Sequence, residues 1–492
     1  MPRIGALVLA FVCCTFGGGG CGPHVRAPEP STPTQHAAAN TSPLATDMGA
    51  VRVQYRSDLD PAVRTAIARD LSEWTRRYQA LHASPELSLA ENRTAARVAS
   101  ELERAGYRVT SNVGGTGVVA VLANGAGPTV LVRGDMDALP VREETGLPYA
   151  STVTATLPDG TSTGVMHACG HDVHVTTLLA VSALLSELRD RWSGTVVVVA
   201  QPAEEIGRGA DLMLKDGLFA RFPKPDACVA LHVSADLAAG EIGVTPGFLA
   251  ANVDSVDVTI FGRGGHGARP QDAVDPIVTA AHLVTALQTL VSRRVDPVDS
   301  AVVTVGSIHG GTKHNVIPDE VKLQLTVRSF TDRVRRTLLD GIAQMAADVC
   351  ATFRCPRPPL VVVKDEYTPA AYNDPALTAQ AAALFRSAFG DAAVIDQRPE
   401  MGGEDFGRYA PAAGVPGFMF RLGSVDPKLV AASRRPGGTP LPSLHSSRYA
   451  PAPAPTLTTG VRAMTHLVLG LLTPARGLTR SAKAVPASAT SP

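Results

Sequence analysis

The stretch Thr195-Val196-Val197-Val198-Val199-Ala200-Gln201-Pro202-Ala203-Glu204-Glu205 joins an unbroken β-branched, apolar run to two adjacent carboxylates. A short apolar run without alternation predicts a strand covered on both faces, as in the middle of a parallel sheet. Three other runs share this design. Thr129-Val130-Leu131-Val132 leads into Arg133-Gly134-Asp135-Met136-Asp137, and Ala227-Cys228-Val229-Ala230-Leu231 leads into His232. Gly417-Phe418-Met419-Phe420 leads into Arg421-Leu422-Gly423. Leu178–Leu188 predicts a helix between two of the strands, the signature of a βαβ unit. Polar groups thus collect at the carboxyl ends of several strands, where open α/β sheets place their ligand crevice.

Outward from this centre, Leu59–Leu81 and Glu91–Ala105 read as amphipathic helices, the second stopped by Gly106. Residues 249–361 differ. Ser255-Val256-Asp257-Val258-Thr259-Ile260 and Val321-Lys322-Leu323-Gln324-Leu325-Thr326-Val327 alternate polar and apolar, which predicts an antiparallel sheet with one wet face. Helical stretches fall at about 276–292 and 332–349. The expected fold class is α/β. A mostly parallel catalytic domain in two parts, 52–248 and 362–474, is interrupted by an inserted α+β domain, 249–361.

Bulk properties exclude some roles. Lys+Arg and Asp+Glu both number 45 and aromatics are 5%, so nothing favours nucleic acid or an anionic membrane surface. At the amino terminus, Pro2-Arg3 and the apolar run Ile4 to Phe16 have the form of an export signal, residues 1–21. Cys21 is a possible lipidation site, although Gly18 departs from the usual aliphatic residue three positions earlier. The chain is therefore expected to be exported: periplasmic, secreted or lipid-anchored at the cell envelope, with any membrane contact made only through Cys21. Residues 22–51 and 475–492 are rich in Pro, Ala, Ser and Thr and read as tethers. Four of the seven cysteines lie beyond the export segment, too few for a disulfide scaffold. Cys350 and Cys355 are candidates to pair.

Chemistry concentrates in His167-Ala168-Cys169-Gly170-His171-Asp172-Val173-His174. Cys169 and His171 are spaced to point into one crevice; Glu205, His232 and the loop histidine His445 add three more donors. Five ligands exceed one tetrahedral site with an open position and suit two metals about 3.5–4 Å apart. If Glu205 coordinates, Glu204 is left beside the metals as a general base and acid for an activated water. Asp135, Asp137 and His174 are expected to orient ligands, and His167 to take a similar or helix-entry role. Asp172, Glu404 and Asp405 are expected to be structural or to support the ligands. Cysteine ligation leans towards zinc; manganese, cobalt and nickel are also compatible. Gly262-Arg263-Gly264-Gly265-His266-Gly267 formally contains GxGxxG, but Pro270 follows and no acid stands about 20 residues on, so a dinucleotide site is not expected. Its glycines instead let a loop carry His266 close to a substrate.

The motifs Arg133-Gly134-Asp135-Met136-Asp137-Ala138-Leu139-Pro140, Met166–His174, Gln201–Glu205 and Leu231-His232-Val233 occur in that order. They are followed by Gly264-Gly265-His266-Gly267-Ala268-Arg269-Pro270, His314-Asn315-Val316-Ile317-Pro318, Gly403-Glu404-Asp405-Phe406 and Leu444-His445. This series resembles the hippurate hydrolase and indoleacetyl-amino-acid hydrolase family of dinuclear metallo-amidohydrolases, over about residues 60–470. The resemblance implies a zinc-exopeptidase-like fold and metal ligands at Cys169, His171, Glu205, His232 and His445. It implies a catalytic carboxylate at Glu204, substrate contacts at His266 and Asn315, and dimerisation through a lid at 249–361. Related carboxypeptidases have a ligand histidine where this chain has Asp135, so Asp135 is not counted as a ligand.

The expected function is metal-dependent hydrolysis of N-acyl amino acids, which are small-molecule substrates of hippurate type. A carboxypeptidase or aminoacylase acting on short peptides is the near alternative. A non-catalytic surface binding protein on the same fold is the distant one, since it would normally lack a ligand or the Glu204 equivalent.

Overall fold

The computed structural model describes residues 51–474. The expected export segment, nearly all of the first tether and the tail at 475–492 lie outside the described residues. The centre is a nine-stranded mixed sheet. Trp192–Gln201, Thr129–Asp135, Ala227–Ala238 and Gly417–Val425 lie side by side and parallel, with register partners such as Asp135↔Gln201 and His232↔Arg421. Arg108–Val113 and Gly117–Asn124 add an antiparallel flank beside Trp192–Gln201. Ile242–Val244 and Val394–Asp396 close the other side.

Both faces of the parallel strands are covered, which is why their sequence does not alternate. Val130, Val132, Val196, Val198, Val229 and Leu231 pack into one core with the helices Asp60–His82, His171–Glu187 and Pro453–Leu471. Leu131, Val197, Val199, Ala230 and Met419 pack into a second core with Ala210, Met213, Phe406 and Tyr409. The central helix begins at His171, seven residues before the expected start at Leu178. Its first turn carries ligand-type residues rather than an apolar run, and almost the whole cylinder is buried, so no stripe marks its start. Gly170 caps it at φ +73, where a Cβ would stand 2.7 Å from Val233 Cγ2.

Asn252–Phe261, Glu320–Ser329, Ala301–His309 and Leu360–Val363 form a separate four-stranded antiparallel sheet. Asn252–Phe261 alternates buried and half-buried positions throughout. Its buried side faces the helices Pro276–Thr289 and Asp332–Thr352. The first of these helices ends earlier than the spacing predicts and passes into a π turn at Leu290–Arg294, while the second runs three residues further. Cys350 and Cys355, the candidates to pair, are both free thiols. This unit joins the larger one through short contacts, among them Val253↔Thr368 and Ala251 N–H donating to the Gly402 carbonyl.

A buried charge chain ties the first helix to the central one. His82 Nδ1 is 2.6 Å from Asp172 and Nε2 is 3.0 Å from Glu143, all with fully enclosed side chains. Burial opposes the charged imidazole, but these two carboxylates outweigh it and raise His82 to about 10. A pKa raised above its unfolded value stabilises fully below that value, about 6.5, and the gain is lost as pH rises through about 10. His82→Ala should therefore cost about 3–5 kcal/mol near pH 6.5. Chemical denaturation of both proteins from pH 6.5 to 10 should show the penalty shrinking; a penalty constant across that range would refute a charged His82.

Candidate metal centre and active site

The site lies where Thr129–Asp135 and Trp192–Gln201 end; the two neighbouring strands run on past it, to Ala238 and Val425, so His232 stands within its strand and not at the end that the sequence suggested. Asp135, Gln201, His232 and Arg421 stand at one level, set by the register of their strands. Beneath them lies Arg133, whose side chain has no exposed surface. It donates to Asp135 Oδ2 at 2.5 Å, Glu404 Oε1 at 2.9 Å, Asp405 Oδ1 at 3.2 Å and Gln201 Oε1 at 3.0 Å. Burial would raise Asp135, but Arg133, His171 and His174 hold it well below the usual carboxylate range. Its other oxygen is 2.5 Å from His174 Nδ1, and His174 Nε2 accepts the Val233 N–H at 2.9 Å. With both ring nitrogens engaged, His174 orients its neighbours and is not a donor to a metal.

Two histidines have the opposite arrangement. His171 Nδ1 donates to the Asp137 carbonyl at 2.8 Å, and His232 Nδ1 donates to the Val233 carbonyl at 2.7 Å. Each therefore presents Nε2 to the crevice. A ligand histidine is commonly fixed in this way, its other nitrogen bonded to a carbonyl or carboxylate. His171 Nε2 lies 3.8 Å from Glu205 Oε1, 3.9 Å from Glu204 Oε2 and 3.8 Å from Asp135 Oδ2. His232 Nε2 is 3.6 Å from Cys169 Sγ. His445, at φ +66 on its loop, brings Nε2 to 3.3 Å from Cys169 Sγ and 3.5 Å from Glu205 Oε2.

The structure thus brings together all five expected ligands and Glu204. Cys169 belongs to two donor groups, one with His171 and His232 and one with Glu205 and His445, each with atoms within 4.8 Å of one another. His171 Nε2 and Glu205 Oε1 are buried with no hydrogen-bond partner. Six carboxyl groups crowd this edge: Asp135, Asp137, Glu204, Glu205, Glu404 and Asp405. Burial, then Glu404, Glu205 and Asp405, push Glu204 well above its usual value. Burial, with Asp137 and Asp135, raises Glu205 to about 7 although His171 opposes it. Unpaired buried donors among excess acid fit divalent cations, and sulfur, nitrogen and oxygen ligands suit a borderline metal.

The remaining residues sort clearly. Asp137 accepts from Ser88 Oγ at 2.7 Å and from the Glu205 N–H at 2.9 Å, so it fixes both His171 and Glu205. His167 is buried with both ring nitrogens unpartnered and shares no donor group. His266 ends the two-residue strand Gly265–His266, paired with Val316–Ile317, and Asn315 immediately precedes that partner strand; the Gly267 N–H donates to the Asn315 carbonyl at 2.8 Å. Both are exposed, and among the described residues no hydrogen bond or ion pair links them to the metal-type cluster. Sequence reasoning overlooked Glu91, a fully buried carboxylate that accepts from the Ala203 N–H at 2.8 Å and from Thr116. Nothing near it in the sequence distinguishes it from an ordinary helix-entry glutamate. It also gave no role to Arg133 or Arg421, whose partners lie on distant segments.

The chain was compared with known proteins. It is 40% identical over 332 residues to an N-acetyl-L-cysteine deacetylase of Bacillus subtilis (strain 168), covering 67% of this chain and 75% of that protein. It is 36% identical to the IAA-amino acid hydrolase ILR1-like 2 of Arabidopsis thaliana, covering 70% and 75% of the two chains. The crystal structure of the Bacillus subtilis YXEP protein, described as a dinuclear metal binding peptidase from the M20 family, superposes with a TM-score of 0.66 at 28% identity. It covers 82% of this chain and 99% of that one. Residues 131–434 match the profile of peptidase family M20/M25/M40. With the ligand geometry above, these findings place the chain in peptidase family M20/M25/M40 as a metal-dependent hydrolase of amide bonds.

Proposed function

We propose that the chain hydrolyses N-acyl amino acids, of hippurate type, into a carboxylate and an amino acid. The reading is carried by the placement of two adjacent carboxylates in different positions. Both approach His171 Nε2, Glu205 at 3.8 Å and Glu204 at 3.9 Å, but Glu205 also groups with Cys169 and His445, whereas Glu204 groups with Glu404 and Asp405. Two divalent metals, zinc or manganese by ligand type, would be held by Cys169, His171, Glu205, His232 and His445. Bound there, they supply Lewis-acid activation of water and of a carbonyl oxygen near neutral pH.

Glu204 then acts on protons. It takes one from the attacking water and returns it to the leaving amine nitrogen as the amide bond breaks. Glu205 and His445 lie together beside Cys169, and Asp137 holds the backbone of Glu205 by accepting its N–H. Support for the substrate class comes from relatives named for deacetylating N-acetylcysteine and for hydrolysing IAA-amino acids. His266 and Asn315 belong to the proposal as substrate contacts, carried by a small two-stranded pair within the inserted unit. The same proposal includes export and pairing of two chains through the unit at 249–361, whose Ala301–His309 strand lies at a sheet edge.

Glu204→Gln should lower kcat by about 10²–10⁴-fold while leaving bound metal unchanged. Kinetics with elemental analysis checks this, and substantial residual turnover at full metal content would remove Glu204 from the proton path. Chelation should abolish activity, and added zinc or manganese should restore it; His232→Ala should bind less metal per chain than wild type, read by elemental analysis. A screen of N-acetyl and N-benzoyl amino acids against dipeptides decides the substrate. Faster hydrolysis of dipeptides would replace this reading with a carboxypeptidase acting on short peptides.

A further inference from the structure

The two chain crossings between the larger and the inserted unit run side by side. Ala250 pairs with Ala371, and Val253 pairs with Thr368 through two backbone bonds, at 2.9 and 3.1 Å. The neighbours of this bridge are clamped from the inserted unit. Arg335, on the helix Asp332–Thr352, donates to both oxygens of the fully buried Asp254 at 2.6 and 2.8 Å. Its guanidinium carbon lies 3.9 Å from the centre of the Tyr367 ring. A planar guanidinium that is bidentate on one side and stacked on an aromatic face fixes both partners in direction. Asp254 follows Val253 and Tyr367 precedes Thr368, so the bridge is mounted on that helix.

From this mount each bridge residue reaches one glycine at the reactive edge. Thr368 is buried, and a Cβ added to Gly207 would stand 2.2 Å from its Oγ1. Gly207, at φ +64, donates its N–H to the Glu204 carbonyl at 2.7 Å and so closes the turn that carries both glutamates. A Cβ added to Gly403, the residue before Glu404, would stand 2.7 Å from Val253 Cγ2. Glu204 and Glu404 belong to one buried group with Asp405, with atoms within 4.8 Å of one another. The backbones beside Glu204 and Glu404 therefore each lie against one of two paired residues, with no room for a methyl group between. Interiors packed this closely transmit displacement rather than absorb it.

We propose that Thr368 and Val253 are positioning residues for proton transfer, setting where Glu204 and Glu404 stand relative to each other from the mount on the inserted unit. The proposal rests on the reading of Glu204 as the proton-transferring group. Neither side chain ionises, so each acts only through the glycine it packs on. The inserted unit then governs turnover as well as supplying substrate contacts.

The test uses whichever amide the wild type cleaves, an N-acyl amino acid or a dipeptide. Thr368→Ala withdraws the atom packed on Gly207 and should lower kcat about 10–100-fold, with KM and bound metal little changed. Val253→Ala should act in the same direction. Thr368→Ser keeps a γ oxygen and should retain kcat near wild type. Gly207→Ala drives a methyl group into Thr368 and should also lower kcat. In the double variant with Thr368→Ala, that methyl meets Thr368 Cβ at 3.6 Å, an ordinary contact, so turnover should be faster than in Gly207→Ala alone. Wild-type kcat in either alanine variant would overturn the proposal. So would equal losses in Thr368→Ala and Thr368→Ser, a kcat loss matched by lost metal, or losses that multiply in the double variant. The Thr368 pair decides alone if Gly207→Ala fails to fold. If Glu204→Gln keeps substantial turnover, the Glu204 reading fails and this proposal with it. If Glu204→Gln is inactive while the alanine variants match wild type, only the positioning fails.

Discussion

One guanidinium without exposed surface holds the reactive edge together. Arg133 gathers Asp135, Glu404 and Asp405, the last two about 270 residues later in the chain. Removing one partner of such a buried cluster leaves uncompensated charge, at a cost of about 3–5 kcal/mol. The orientation it imposes travels outward. Asp135, turned by Arg133, offers its second oxygen to His174; His174 in turn accepts from Val233, the residue after His232. Ligand positions on separate strands are thus set by a single ion cluster below them.

That cluster also creates the charge imbalance that suits the site to metals. Six carboxyl groups stand at this edge against Arg133 and Arg421. Asp405 is raised to about 7, chiefly by burial and by Glu404, despite the nearness of Arg133. The Cys169 thiol is pushed well above its usual value by burial and then by Glu205. Groups so crowded cannot all ionise in a low dielectric. Divalent cations beside Cys169 and Glu205 answer this imbalance directly, so the stability of the edge and its chemistry depend on the same charges.

Much of this was legible in the amino-acid sequence because periodicity and ligand type are local signals. Unbroken β-branched runs marked strands buried on both faces, and the alternating segments marked a sheet with one wet face. Cys169, His171, Glu205, His232 and His445 were found from donor chemistry at strand and loop ends, and the structure gathers them with Glu204. What escaped depends on pairing across long separations. Nothing local joins His82 to Glu143, or Arg133 to Glu404, or Glu91 to Ala203. The start of the central helix was missed because its first turn is made of site residues. Cys350 and Cys355 are close in sequence, yet closeness alone does not form a bond.

The most demanding local problem is to make neighbouring glutamates do different work. On a strand, successive side chains point to opposite faces, so one of the pair would be lost from the crevice. The chain avoids this by leaving the sheet after Gln201 and turning at Ala203, which has φ +52. A non-glycine residue in that region is strained and needs surrounding contacts to hold it. Glu91 supplies one contact, accepting the Ala203 N–H; Asp137 supplies the other, accepting the Glu205 N–H. Neither carboxylate belongs to the five-ligand set. Their task is to hold a strained turn so that both glutamates stay beside His171 while Glu205 also reaches Cys169 and His445 and Glu204 lies with Glu404 and Asp405. Giving these two neighbouring carboxylates different surroundings is therefore a backbone property, built from residues distant in sequence from the pair they separate.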